Sequence, residues 1–329
     1  MNYLMLKLQE SLMSKKVLIT GASGMVGHYL VDKCMERGYE VRATDLHYNS
    51  VFDKHKSMFR FEFQDADLRN FEECKKVVKE VDVVFHVAGI KGSPKRAMEQ
   101  PNDFFTPLLQ FNTNMMEAAR LEGVDWYVYT SSNGVYSPAD RMRENDVWKT
   151  FPSEKDKFAG WAKRIGELQA ECYKVHYGLE NISIVRPANI YGKGDNFGED
   201  SMVIPSIIKR TCEGENPLVC WGDGTPVRDF IHASDVADGL LLSYDKKITE
   251  PINLGCGDGV SIKELVETIV EVYGNEVSIE WDKSKPNGDP IRLMNTERAN
   301  NYGFFPKVEL RDGIREVMNY YDEIYSISK

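Results

Sequence analysis

The sequence predicts an α/β fold, a doubly wound parallel sheet with a smaller mixed α/β part appended. Three observations carry the prediction. Short apolar, β-branched runs alternate with helical patterns from residue 17 to about residue 192. The first run, Val17-Leu18-Ile19-Thr20, leaves into Gly21-Ala22-Ser23-Gly24-Met25-Val26-Gly27, three glycines where a strand gives way to a helix. The second run ends in a carboxylate, Asp45.

Each element can be justified in order. The first run follows two lysines and reads as a buried parallel strand. The glycines after it let the backbone come close to a phosphate. Helical spacing resumes over 25–38, so free backbone N–H groups and the positive end of the helix dipole face that turn. Gly21, Ser23, Gly24, Met25, Val26 and Gly27 thus form a candidate dinucleotide seat. The second strand, 40–45, places Asp45 about twenty residues beyond the glycines, where a carboxylate accepts both ribose hydroxyls and repels a 2′-phosphate. It favours NAD over NADP, and Arg42 is the one counter-indication. A third strand over 59–64 ends at Asp65-Ala66-Asp67-Leu68. Asp67 and the backbone of Leu68 are candidates for the adenine amino edge, and an N-cap for a helix over 71–80 is compatible. A fourth strand, 83–87, ends in Val87, and Ala88-Gly89-Ile90 is a small-residue crossing that keeps backbone within reach of pyrophosphate and ribose.

A helix over 103–122 precedes an aromatic-rich strand, 125–129, that runs into Thr130-Ser131-Ser132-Asn133-Gly134-Val135-Tyr136. A second long helix, 158–177, carries Lys163. The sixth strand, 182–185, ends in Arg186-Pro187-Ala188-Asn189-Ile190-Tyr191-Gly192. From 193 the rhythm breaks: Gly, Asp, Asn and Pro become dense and apolar runs shorten, as expected of a substrate-binding part. The division is 1–14 as an N-terminal extension, 15–192 as the dinucleotide-binding domain and 193–329 as mainly the substrate part, without repeats or linker.

Composition excludes several classes. A formal charge of −10 over 329 residues argues against a nucleic-acid binder. The six cysteines are scattered without a Cys-x-x-Cys pair, as expected of reduced thiols in a cytoplasmic protein and not of a metal site or disulfide framework. No apolar run approaches the roughly 20 residues of a membrane span. His86 and His232 sit in apolar runs without ligand partners and read as structural.

Taken together, Thr20 to Gly27, Ser131-Ser132, Lys163 and Arg186 to Gly192 resemble the extended short-chain dehydrogenase/reductase family, the Rossmann-type nucleotide-sugar epimerases and dehydratases. Asp195-Asn196-Phe197, Val203-Ile204-Pro205, Trp221 to Phe230 and Lys285 to Arg292 are most similar to its GDP-fucose synthase subgroup. The resemblance implies that a tyrosine phenolate takes a sugar hydroxyl proton while hydride passes to nicotinamide, helped by a lysine four residues on and a serine at a strand end. Ser132 and Lys163 match the serine and lysine, and Lys163 is also a nicotinamide-ribose contact, with Pro187 beside it. The tyrosine position holds Ala159, which cannot take a proton. Three readings stay open: a tyrosine replaced to trap a complex, a base moved to Tyr136 or Lys91, or binding without turnover. Asn133 and Met202 stand where the subgroup has its cysteine and histidine, and Asn133-Gly134 where dehydratases have an Asp-Glu pair. What remains is reversible hydride transfer at one carbon, that of a 4-epimerase or simple sugar oxidoreductase. An NADPH-linked 4-keto-sugar reductase, a 4,6-dehydratase and a non-catalytic binding protein are the alternatives.

For the substrate, the resemblance implies Arg228 and Arg292 as diphosphate clamps and Asn189 near the diphosphate or sugar. Lys91, Asn133, Val203, Lys209 and Trp221 are further candidates, Trp221 for the base or sugar. A nucleotide sugar, a GDP-sugar before others, is the expected partner. The resemblance also implies a homodimer through the helices 103–122 and 158–177.

Overall fold

The computed structural model describes residues 14–325, so the extension expected over 1–14 lies outside it apart from Ser14. The first strands and helices are β1 (Lys16–Thr20), α1 (Met25–Glu36), β2 (Glu40–Asp45), β3 (Phe61–Asp65), α2 (Phe71–Val78), β4 (Val83–His86), α3 (Pro94–Glu99), α4 (Asn102–Glu122) and β5 (Trp126–Thr130). They are followed by β6 (Arg141–Met142), α5 (Lys157–Tyr177), β7 (Ile182–Pro187), β8 (Asn189–Tyr191), α6 (Val203–Cys212), β9 (Leu218–Trp221), β10 (Val227–Arg228) and β11 (Phe230–His232). The chain closes with α7 (Ala233–Asp245), β12 (Ile252–Leu254), β13 (Val260–Ser261), α8 (Ile262–Tyr273), β14 (Ile279–Asp282), β15 (Ile291–Met294), α9 (Glu297–Asn301) and α10 (Leu310–Tyr325).

Seven strands form one parallel sheet in the order β12-β7-β5-β4-β1-β2-β3. Because side chains alternate across a strand, Leu18, Val84 and Tyr127 enter one core with α2, α4 and α5, while Val17, Ile19, Val83 and Phe85 enter the other with α1 and α7. Each fully buried Leu or Ile contributes about 1.5–3 kcal/mol, so a one-residue slip of any inner strand would cost several such terms at once. The strand order reverses between β1 and β4, and this opens a crevice at their C-terminal ends, where sheets of this kind take ligands.

The main sheet does not end where the sequence rhythm does. β12 pairs with β7 through Ile252–Val185 and Leu254–Pro187, and α7 packs on α1. Residues 233–254 therefore belong with the sheet although they follow residue 193, because their apolar residues Val236, Leu240, Ile252 and Leu254 complete its core. A separate core of Ile204, Ile208, Leu218, Leu265, Ile269, Ile314 and Val317 holds α6, α8 and α10 together. Phe59 precedes β3 and is 94% exposed, so that strand starts two residues later than its apolar pattern suggests.

Candidate active site

The glycine turn is shaped by close approach. Gly21 has φ +64°, and a Cβ there would stand 2.6 Å from Ala88 Cα. One on Gly27 would stand 2.2 Å from the Gly21 carbonyl oxygen. The turn is thereby pressed against the exit of β4 and the start of α1. No side chain caps α1 at Gly24 and its first turn holds no acid, so the N–H groups of Met25 and Val26 and the positive dipole end face the crevice without a competitor. The donors and the absent side chains suit a dinucleotide pyrophosphate. Val87 and Ala88, at the exit of β4, lie directly against Gly21, beside the turn.

Asp45, at the end of β2, accepts from the Ser23 N–H at 3.0 Å and the Leu46 N–H at 2.8 Å, which orients its carboxylate at the rim of the turn. Burial raises its pKa against those two bonds. Arg42 is turned away: it pairs with Glu62 at 2.6 Å and donates to the carbonyls of Val77 and Lys79 at 2.8 and 2.6 Å. It therefore does not stand beside Asp45 as a 2′-phosphate receptor. Asp67 accepts from the Arg69 N–H and guanidinium, and Leu68 is buried behind it.

Ser132 and Ala159 are brought together by a contact between glycines. A Cβ on Gly160 would stand 2.3 Å from the Gly134 carbonyl oxygen, so the 132–134 loop lies directly on the first turn of α5. Ser132 Oγ accepts from the Gly134 N–H at 3.0 Å. One helical turn below Ala159, Lys163 is buried and its Nζ donates to the Thr130 carbonyl at 2.8 Å. Burial drives the Lys163 amine down to about 7, and the Glu167 charge offsets this only partly. A pair beneath the site holds these elements in place: Arg186 bonds Glu167 at 2.6 and 2.9 Å, both side chains being 1% exposed, and Ser131 Oγ donates to Glu167 at 2.5 Å. Pro187 follows Arg186 at the end of β7 and is buried.

The structure does not support either alternative base. Tyr136 is buried, its hydroxyl donates to Asn253 at 2.6 Å and accepts from Arg186 at 3.0 Å, and burial pushes its pKa up to about 12. Lys91 Nζ meets both carboxylate oxygens of Asp195 at 2.7 Å and the Ile190 carbonyl at 3.1 Å, which uses its three donors. His86 lies between Thr20 and Asn112 at 2.9 and 3.0 Å, and burial lowers its pKa to about 3. His232, 2% exposed, faces Glu316.

Parallel pairing of β10 with β15 sets Arg228 and Arg292 in register on adjacent strands. Burial, and then the neighbouring Arg292 charge, lowers the Arg228 pKa. Arg228 donates to the Asp289 carbonyl at 2.7 Å, and Arg292 pairs with Asp156 at 2.9 Å. Two adjacent guanidiniums make a receptor for a diphosphate. Trp221, 63% exposed with Lys285 Nζ 5.7 Å from its ring centroid, ends β9; two residues on, the Asp223 N–H donates to Asn287, the neighbour of Gly288, where a Cβ would stand 3.2 Å from the Arg228 guanidinium. Asn189 is engaged: its amide donates to the Asp229 carbonyl at 2.8 Å and its oxygen meets the Asn133 amide at 3.3 Å. Val203 opens α6 and Lys209 lies in its last turn. That helix packs on α8 and α10, and among the described residues no hydrogen bond or ion pair joins either side chain to the arginine pair.

Four acids around the site were not among the candidate residues, although Asp195 and Asp229 lie within motifs that carry the resemblance. Asp156 faces Arg292, Asp195 faces Lys91 and Glu167 faces Arg186. Asp229 is buried, accepts from the N–H groups of Cys256, Gly257 and Met294, and is raised to about 6 by burial.

This fold and crevice match a class of enzymes with a nicotinamide dinucleotide on one side and a sugar nucleotide on the other. The profile of the NAD dependent epimerase/dehydratase family matches residues 17–255, and the chain belongs to that family, whose cofactor is NAD. It is 31% identical over 316 residues to GDP-L-fucose synthase 1 of Arabidopsis thaliana, covering 94% of this chain and 93% of the relative. It is 29% identical over 307 residues to a putative UDP-glucose 4-epimerase of Methanocaldococcus jannaschii, covering 92% and 97%. Among solved structures, MoeE5 in complex with UDP-glucose and NAD has a TM-score of 0.79 at 26% identity, covering 94% of this chain and 99% of that one. UDP-glucose 4-epimerase of Thermotoga maritima shares the fold at TM-score 0.81 and 22% identity, over 94% and 99%. These likenesses support NAD(P)-dependent epimerase, reductase or dehydratase chemistry on nucleotide sugars.

Proposed function

We propose that the chain is an NAD-dependent nucleotide-sugar epimerase or oxidoreductase that transfers hydride reversibly at one sugar carbon, C4, with Ala159 in the tyrosine position. The observation that carries this reading is the convergence of Ser132 and Lys163 at the crevice of the glycine turn, with the arginine pair at the substrate side. NAD, when bound, supplies the hydride acceptor. Ser132 Oγ orients the reacting hydroxyl, Arg228 and Arg292 hold the diphosphate, and Trp221 stacks on the base. Lys163 Nζ, with its pKa near 7, is a group below Ala159 that can hold a proton near neutrality. Arg42 in its pair with Glu62 speaks for NAD and against an NADPH-linked reductase. Asn133 and Gly134 give no acid for dehydration.

The likeness to GDP-L-fucose synthases favours a GDP-sugar. Free cysteines throughout the described residues suit a cytoplasmic protein. Among the described residues no helix is long and apolar enough to cross a membrane. Leu121, Phe158, Ile165 and Leu168 are exposed on α4 and α5, which supports a homodimer through these helices.

Incubation of the chain and of Ala159→Tyr with GDP-, UDP-, CDP- and dTDP-hexoses tests the reading, followed by NADH absorbance and product analysis. Turnover that rises with the restored phenol is expected. Absence of both binding and turnover in both versions refutes it. Ala159 itself favours a second reading, a protein that holds NAD and a nucleotide sugar without converting it; turnover by the unaltered chain removes that reading.

A further inference from the structure

We propose that the Lys91–Asp195 ion pair is a strap across the cofactor cleft, so that NAD leaves its seat only when the pair opens. The proposal rests on the glycine turn being the pyrophosphate seat. Lys91 follows β4 on one wall of the crevice, and Asp195 lies in the loop after β8 that leads into the substrate part. Their bond therefore joins the two sides of the cleft. It does so over the mouth of α1: Lys91 Nζ is 4.0 Å from Met25 Sδ, and a Cβ on Gly194 would stand 3.5 Å from Met25 Cα and 3.4 Å from His28 Cε1. Met25 is the first residue of the helix whose N–H groups face the pyrophosphate.

The pair is built to stay closed. The Asp195 side chain is 1% exposed and accepts Lys91 with both oxygens and the Asn196 N–H at 2.8 Å. A carboxylate buried this close to a phosphate seat is tolerable only when neutralised, so Lys91 screens the pyrophosphate from Asp195 as well as bridging the cleft. On the proposed epimerase reading, hydride returns to the same sugar, and a cofactor that outlasts the exchange of sugars is what the strap would retain.

The test uses the full chain and NAD alone, so the identity of the sugar does not enter it. Lys91→Gln, Asp195→Asn and the double variant are loaded with NAD, and release is timed by dilution into an NAD-degrading trap. Adenosine affinity, measured by calorimetry, is the control, because adenosine fills the base and ribose half without placing a phosphate on the seat beneath the pair. The strap predicts release faster by about tenfold or more in each single variant, no further acceleration in the double, and adenosine affinity unchanged within about twofold. Unchanged NAD release overturns it. So does weaker binding in Lys91→Gln together with tighter binding in Asp195→Asn, which makes Lys91 a lone phosphate contact, and so do equal losses for adenosine and NAD, which show a collapsed loop. If the unaltered chain holds no NAD at all, it is the seat that fails, and the strap with it.

Discussion

Lys163 offers a quantitative test that needs no substrate. A lysine whose pKa falls from 10.5 to about 7 on folding has lost about 5 kcal/mol against its charged form, at 1.36 kcal/mol per unit. Lys163→Met keeps the stem and removes the titration. It also removes the bond to the Thr130 carbonyl, a loss of about 1 kcal/mol, so at pH 7 the variant is expected to be more stable by about 3–4 kcal/mol. The sign with pH follows from proton counts. Between about pH 7 and 10.5 the unfolded chain keeps this proton and the folded chain has released it, so the stability of the natural chain rises with pH. The advantage of Lys163→Met therefore shrinks by about 2 kcal/mol from pH 7 to pH 9 and is nearly flat from pH 6 to pH 7. Urea unfolding of both proteins without cofactor, at pH 6, 7, 8 and 9, measures it. A difference that does not change over this range, or a variant less stable than the natural chain at pH 7, would refute the claim that a lysine neutral near pH 7 lies beneath Ala159.

Two further outcomes follow from the packing. Gly27→Ala forces a methyl to 2.2 Å from the Gly21 carbonyl oxygen and 2.6 Å from Ala22 Cα, so the turn must move; NAD affinity measured by calorimetry is expected to fall at least tenfold, with stability lower by about 1–3 kcal/mol. Arg186→Met leaves Glu167 buried and unpaired, and urea unfolding should show a loss of about 3–5 kcal/mol, whereas a loss below about 1 kcal/mol would mean that Glu167 finds other partners.

What could be seen in the sequence was local. The strand-turn-helix of residues 16–36 is legible because glycine spacing, β-branched residues and the onset of helical periodicity all act within a dozen neighbours, and Asp45 follows at a spacing the fold dictates. The same holds for α4 and α5, whose starts lie within one residue of the apolar pattern. Partners distant in the chain were not legible. Arg42 looks like a ribose-phosphate receptor until the strand pairing sets it opposite Glu62, which takes its charge. Tyr136 offers a hydroxyl close to Ser132 in sequence, but the β7 arginine and Asn253 enclose it. The division at residue 193 hides that residues 252–254 return to the sheet edge, because three residues carry too little pattern to read as a strand.

The placement of the side chains around Ala159 does not depend on the residue at that position. Each side chain of the expected machinery is held by something other than the residue at 159: Lys163 by the Thr130 carbonyl, Ser132 by the Gly134 N–H, Arg292 by Asp156, and the ends of β5 and β7 by Glu167 with Arg186. The loop of Ser132 is seated on α5 by backbone contact at Gly134 and Gly160, to which a phenol ring would contribute nothing. On the proposed reading, binding and proton transfer are therefore separable. It follows that Ala159→Tyr should change turnover while leaving the affinities for NAD and for the nucleotide sugar within about threefold, since neither the glycine turn nor the arginine pair rests on that position. A large change in either affinity would show instead that residue 159 shapes the binding site, and the argument that the seat is independent of it would fall.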